Sequence, residues 1–311
     1  MRPTIGALTL FTMLAVRSAS AQPTIEKNVV YGMHSGLALL MDVHRPEHPN
    51  GYGVIHVAGS SWHASLAYDA PPLKESQIRF WGPTLLRAGY TVFTINHRAA
   101  PVFRYPAALE DVQRAVRFVR HNARQFGIDP ARLGGIGGSS GAHLLGLVAM
   151  LRAPGLVDDP DPVNREPATL QTVVLRAGRF NMSEPPLGPA ATSFIGLFPR
   201  DEAAWKVYAA ASPITHVSPG APPVLLLHGD SDDVVPFEQS IAMEKALRAV
   251  NVPAKLVRIP GGEHGEDFGA DGKPDPSWPD YLSEIVAWLD QHLKMATTGD
   301  AASNNRRAAQ Q

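Results

Sequence analysis

Gly137-Gly138-Ser139-Ser140-Gly141 decides how this chain is read. Before it stands Arg132-Leu133-Gly134-Gly135-Ile136, a short strand by composition. After it comes Ala142-His143-Leu144-Leu145-Gly146-Leu147-Val148-Ala149-Met150, an apolar helix. A strand that turns into a helix at a serine is a nucleophile elbow, whose sharp turn pushes the hydroxyl out at the head of a sheet. Glycines on both sides leave room for that turn. A serine hydroxyl is a poor nucleophile until an imidazole takes its proton. The imidazole in turn needs a carboxylate to fix its tautomer. The elbow therefore predicts an acid and a histidine further along.

Both follow, in that order. The apolar strand Val224-Leu225-Leu226-Leu227-His228 leads into Gly229-Asp230-Ser231-Asp232-Asp233-Val234-Val235-Pro236. A later strand, Ala254-Lys255-Leu256-Val257-Arg258-Ile259, leads into Pro260-Gly261-Gly262-Glu263-His264-Gly265. Serine, acid and histidine, each just past the carboxyl end of a strand, is the chain order of the α/β-hydrolase fold. Three aspartates, Asp230, Asp232 and Asp233, compete for the acid position.

On these motifs the chain resembles the α/β-hydrolase esterases and lipases. The likeness is greatest to the bacterial feruloyl and acetylxylan esterases, relatives of the hormone-sensitive-lipase-like esterases. The elbow of that group usually reads G-D-S-A-G-G-H-L, where this chain has Gly137-Gly138-Ser139-Ser140-Gly141-Ala142-His143-Leu144. The acid loop resembles H-G-x-x-D-x-x-V-P, which implies Asp232 as the carboxylate over Asp230 and Asp233. Residues 96–112, with Arg98, Pro101, Pro106 and Ala107-Ala108-Leu109-Glu110-Asp111-Val112, are similar to the group's Y-R-L-A-P…F-P-A-A-L-E-D-V stretch. The similarity runs from about Tyr31 to Leu293. It implies a Ser139, Asp232 and His264 catalytic triad.

The oxyanion loop departs from that pattern. Where the group carries H-G-G-G-W after a strand, this chain reads Ala58-Gly59-Ser60-Ser61-Trp62. Charge developing on a tetrahedral intermediate needs preorganised N–H donors. By position these are the backbone amides of Ser60, Ser61 and Ser140, with Gly59 as the next candidate. Serine tolerates a positive φ less well than glycine, so this loop is expected to be held differently.

Other polar residues receive plainer readings. His143, in the elbow helix, and His228, at a strand end, are expected to pack and hydrogen-bond. His56 and His63 bracket the oxyanion loop, and His63 is read as a surface histidine within reach of substrate. Arg176 and Arg179, past the sixth strand, are expected to pair with carboxylates of the protein, the alternative being an acidic group on a substrate. No H-E-x-x-H and no Cys/His cluster occurs, so neither a catalytic metal nor a cofactor is expected.

Strands are read at residues 28–31, 37–44, 52–57, 91–96, 133–137, 172–177, 224–228 and 255–259, with helices between them. Val112, Val116 and Val119 form one helical stripe, a second helix carries Ile241, Leu247 and Val250, and the last has Tyr281, Ile285, Trp288 and Leu289 at helical spacing. Such alternation predicts a mostly parallel eight-stranded sheet with helices on both faces and no large cap domain. Residues 153–171 and 183–199 show no period. The second of these follows a strand's carboxyl end and is read as bordering the active site.

Composition agrees. The net charge of −1 gives no basic excess for nucleic acid. Arg2, the apolar stretch 5–16 and Ala19-Ser20-Ala21 read as a signal peptide over 1–21, too short to be a membrane span. The catalytic domain is then 22–294, followed by a polar tail, 295–311, expected to be disordered. With no cysteine in the chain, export without disulfides points to a secreted or periplasmic bacterial protein. The expectation is a secreted serine carboxylesterase working through an acyl-enzyme. Its substrates would be small or polymer-linked esters, short acyl groups or the acetyl and feruloyl esters of plant polysaccharide. A prolyl-oligopeptidase-like peptidase, a polyester or lipid hydrolase, and a non-catalytic binding protein are the alternatives.

Overall fold

The computed structural model describes residues 23–64, 71–185, 187–198, 201–265, 267–269 and 279–294. The expected signal peptide and polar tail lie outside these residues. All eight strands form: β1 (Thr24–His34), β2 (Leu37–Arg45), β3 (Gly53–Val57), β4 (Thr91–Ile95), β5 (Leu133–Gly138), β6 (Thr172–Arg176), β7 (Val224–Gly229) and β8 (Ala254–Ile259). Between them run α1 (Pro71–Glu75), α2 (Ile78–Arg87), α3 (Ala107–His121), α4 (Ala123–Phe126), α5 (Ser140–Leu151), α6 (Pro189–Ile195), α7 (Glu202–Ala210), α8 (Glu238–Ala249) and α9 (Tyr281–Leu289).

The strands make one sheet in the order β1-β2-β4-β3-β5-β6-β7-β8. Strand β2 runs antiparallel to both β1 and β4, and the others are parallel. Strands covered on both faces read as continuous apolar runs. Their alternating residues enter two separate cores. Ile55, Phe93, Val173, Leu175 and Leu226 join α3, α5 and α8 on one face. Val54, Val92, Val174, Leu225 and Leu227 join Trp81 and Leu85 of α2 and Ile285, Trp288 and Leu289 of α9 on the other.

The stretch resembling Y-R-L-A-P…L-E-D-V acts as a clamp. The buried Arg98 guanidinium lies 2.8 Å from Asp111, and Asp111 also accepts the Arg98 backbone N–H at 2.7 Å. This ties the chain leaving β4 to the first turns of α3.

Two expectations on the elements need correcting. Residues 183–199 are not wholly irregular, because α6 starts there on Pro189 and stops at Gly196 in the left-handed region. Seven residues are too few to show a period. In α8 the buried stripe is Ser240, Met243 and Leu247, while Ile241 points out at 45% exposure and Val250 lies past the helix end. Helix α7, capped by the Asp201 side chain on the Ala204 N–H at 2.8 Å, had no counterpart in the sequence reading. No helix of the described residues is long and apolar enough to cross a membrane.

Candidate active site

The elbow forms where expected, and its glycines have identifiable reasons. A Cβ on Gly141 would lie 2.0 Å from the Val57 carbonyl oxygen, and one on Gly137 would lie 2.8 Å from the same atom. The end of β3 therefore presses directly onto the start of α5. Ser139 sits between β5 and α5 at φ 53°, ψ −121°, a conformation that non-glycine residues adopt only under constraint. Its N–H is tied to the Arg176 carbonyl of β6 at 2.8 Å. The hydroxyl is thereby aimed out from the head of the sheet.

Ser139, His264 and Asp232 meet there. Ser139 Oγ lies 2.9 Å from His264 Nε2, and His264 Nδ1 lies 2.7 Å from Asp232 Oδ2. An ionised carboxylate can only accept, so Nδ1 carries the proton and Nε2 is left to accept from the serine hydroxyl. Burial of the Asp232 side chain alone would raise its pKa. Hydrogen bonds from His228 and His264 and from the Val235 N–H outweigh that and hold it well below the usual carboxylate range. Its second oxygen accepts the Val234 and Val235 N–H groups at 2.9 and 2.8 Å. The competing aspartates face elsewhere. Asp230 pairs with Arg258 at 2.5 Å and accepts the Gly261 N–H at 2.6 Å, and Asp233 is exposed.

The loop read in the sequence as the oxyanion loop differs from that expectation at one donor. The Ser60 N–H points into the protein and donates to Ser140 Oγ at 2.9 Å, so it is not available to an oxyanion. Gly59 is likewise committed, to Gln77 Oε1 at 2.9 Å. Among the described residues nothing accepts the Ser61 N–H. The Ser140 N–H opens α5, where helix geometry provides no acceptor. Ser61 and Trp62 stand at φ 55° and 60°, two consecutive left-handed residues, neither of them glycine. Trp62 anchors the loop: its Nε1–H donates to His143 Nδ1 at 3.0 Å, and its ring stacks on Phe194 of α6 at 4.9 Å.

The chain matches the BD-FAE family over residues 41–247. This chain belongs to the BD-FAE family. The match includes Ser139 and Asp232 and ends before His264. Among curated proteins the chain is 32% identical to esterase LipQ of Mycobacterium tuberculosis over 192 residues, 60% of this chain and 45% of that one. It is 29% identical to esterase LipC of the same organism over 258 residues, 78% of this chain and 60% of that one. The chain thus spans about half the length of the curated relatives it matches. Among solved structures it superimposes on a truncated form of a carbohydrate esterase from gut microbiota with TM-score 0.72 and 26% identity, covering 89% of this chain and 99% of that one. In fold, then, this BD-FAE chain is a hormone-sensitive-lipase-like α/β-hydrolase.

Several contacts in this BD-FAE site were not legible as such in the sequence. His228 does more than pack. Fully buried, its Nε2 lies 3.1 Å from Asp232 Oδ2 and 3.0 Å from the Val235 carbonyl, while Nδ1 meets Ser240 Oγ at 2.7 Å. It therefore braces the acid loop from behind. His143 is neutral, pushed down to about 4 by burial, and donates Nε2–H to the Ala211 carbonyl at 2.7 Å. Arg176 is buried, with its guanidinium 2.9 Å from the His264 carbonyl and over the Phe268 ring at 4.5 Å, so it steadies the histidine loop. Arg179 donates to the Glu184 carbonyl at 3.0 Å. His63 is 3.0 Å from Ser193 Oγ of α6, and Ser193 lines a cavity of about 590 Å3 with Arg104, Leu187, Pro189, Thr192 and Phe198. Helix α6 thus meets the loop after β3 through Ser193.

Proposed function

We propose that this chain is an exported serine carboxylesterase. The carrying observation is the continuous relay from Ser139 Oγ through His264 to Asp232, with contacts of 2.9 and 2.7 Å. Ser139 Oγ bonds to the ester carbonyl carbon as its proton passes to His264 Nε2. The resulting oxyanion is held by the Ser61 and Ser140 N–H groups. Collapse expels the alcohol, which takes the proton from His264 and leaves an acyl-enzyme on Ser139. Water, deprotonated by His264, then releases the acid and restores the serine. Asp232 orients the imidazole and stabilises its charged form. The proton transfers run between Ser139, His264 and Asp232 atoms that lie within hydrogen-bond reach of one another.

The substrate class is proposed as short acyl esters, among them acetyl and feruloyl groups on plant polysaccharide. This rests on the likeness to a carbohydrate esterase and on the family match. Export rests on the sequence of residues 1–21 alone, and predicts a mature protein that begins at Gln22. The test is a set of initial rates on p-nitrophenyl acetate, butyrate, octanoate and ferulate, with Ser139→Ala beside the native chain. Ser139-dependent turnover that falls with acyl length or peaks on ferulate supports the reading. Turnover highest on octanoate transfers it to lipid hydrolysis, and absence of Ser139-dependent ester turnover sinks it.

A further inference from the structure

We propose that the Ser140 hydroxyl is a positioning residue for the oxyanion loop, selecting which amide of that loop faces the substrate. The inference rests on the esterase reading above. Left to itself, a loop with consecutive amides at Gly59, Ser60 and Ser61 could turn any of them toward the cleft. Two side chains from different elements remove that freedom. Gln77, just before α2, takes the Gly59 N–H, and Ser140, the first residue of α5, takes the Ser60 N–H, each at 2.9 Å. Ser140 is only 2% exposed, so water does not compete for its oxygen. With these two amides fixed inward, Ser61 is the next that can present its N–H, beside the backbone N–H of Ser140 itself.

The backbone shows why such a hold is needed. Ser61 and Trp62 both occupy the left-handed region, which side chains other than glycine disfavour. Such a pair persists only where surrounding contacts over-determine it. Trp62 is fixed by its bond to His143, and Ser60 by its bond to Ser140, so Ser61 is gripped from both sides. An elbow with alanine after the nucleophile has no acceptor at this point. One residue thus serves the oxyanion site twice, its N–H donating to substrate and its hydroxyl setting the loop.

The test compares the native, Ser140→Cys and Ser140→Ala enzymes, the thiol being a weaker acceptor of nearly the same size. The readouts are kcat and KM on a short acyl ester, inhibition by a trifluoromethyl ketone, and hydrogen exchange of the Ser60 amide. The ketone forms a tetrahedral adduct and so reports on the oxyanion donors. Expected for Ser140→Ala are faster Ser60 exchange, a fall in kcat of about 10- to 100-fold, below or at the low end of losing a donor outright, and KM within about twofold. Inhibition by the ketone weakens by the same factor as kcat, and Ser140→Cys falls between. Unchanged or increased kcat and ketone affinity in Ser140→Ala overturn the proposal, an increase meaning that the freed Ser60 N–H is itself the better donor. A native enzyme whose ester turnover is no greater than that of Ser139→Ala overturns the esterase reading and this proposal with it, and is recognised by that comparison alone.

Discussion

Asp232 is set apart from its two aspartate neighbours by what surrounds it, which is why the proposed mechanism assigns it the carboxylate role. All three aspartates lie in one turn after β7, yet only Asp232 combines the two loop amides, His228 and His264. Replacing it with Asn removes the acceptor for the His264 Nδ1 proton and favours the wrong tautomer. Asp232→Asn is expected to lower kcat by about 10³- to 10⁴-fold, while Asp230→Asn and Asp233→Asn stay within about threefold of native; an equal loss at Asp233 in the same assay would reassign the acid. His228→Ala leaves the carboxylate short of one buried donor, and a tenfold or smaller loss of kcat is expected, about 1.4 kcal/mol by rate arithmetic. At this scale the sequence carried the three side chains that the fold brings together but not the direction of the amides. The motif spacing singled out Ser139, Asp232 and His264. No local signal could tell that the Ser60 N–H turns inward, because its acceptor is Ser140, eighty positions away.

Strand β5, the elbow and α5 form the element on which the site depends. Their glycines serve close approach as much as the turn itself, since Gly141 lies against the Val57 carbonyl. Gly141→Ala must push β3 away from α5, and is expected to destabilise the fold by more than about 3 kcal/mol, in the range of severe core disruption. Gly188→Ala is the matched control, because an added Cβ there meets nothing within 4 Å and its φ is −70°. Thermal melting of the two variants checks this: a similar Tm for both would mean that β3 yields freely. The elements were legible where apolar periodicity was long or the strand fully buried. They were illegible where tertiary contacts decide. Helix α6 is one such case, short, bounded by Pro189 and Gly196 and fastened by Phe194 on Trp62. In α8 the polar Ser240 shares the buried face with Met243 and Leu247, while Ile241, six positions before Leu247 and off its face, points to solvent.

Across the whole molecule, buried histidines link stability to pH. His56 and His143 are fully buried, and desolvation pushes them down to about 3 and about 4. In the unfolded chain each binds a proton below about 6.5. Folding stability is therefore full above that value and falls as pH drops, by up to roughly 1.4 kcal/mol per pH unit for each histidine. The His143 contribution levels off near its folded value of about 4. Asp232, held low by its hydrogen bonds, adds a further loss only below about pH 4, where the unfolded carboxylate begins to bind protons. Urea unfolding of native and His143→Gln chains between pH 7 and 4.5 is expected to show a steeper loss in the native chain; parallel curves would mean that His143 is not held neutral. The sheet order, the two cores and the site at the carboxyl ends of β5, β7 and β8 all support one central claim, that Ser139 is the nucleophile of an ester hydrolase. Its most direct test is intact-mass spectrometry after incubation with diethyl p-nitrophenyl phosphate, followed by peptide mapping. The account predicts one diethylphosphoryl group per chain, on Ser139, with esterase activity lost in proportion to labelling and no adduct on Ser139→Ala. Equal labelling of Ser139→Ala, or ester hydrolysis that survives complete labelling, would contradict it.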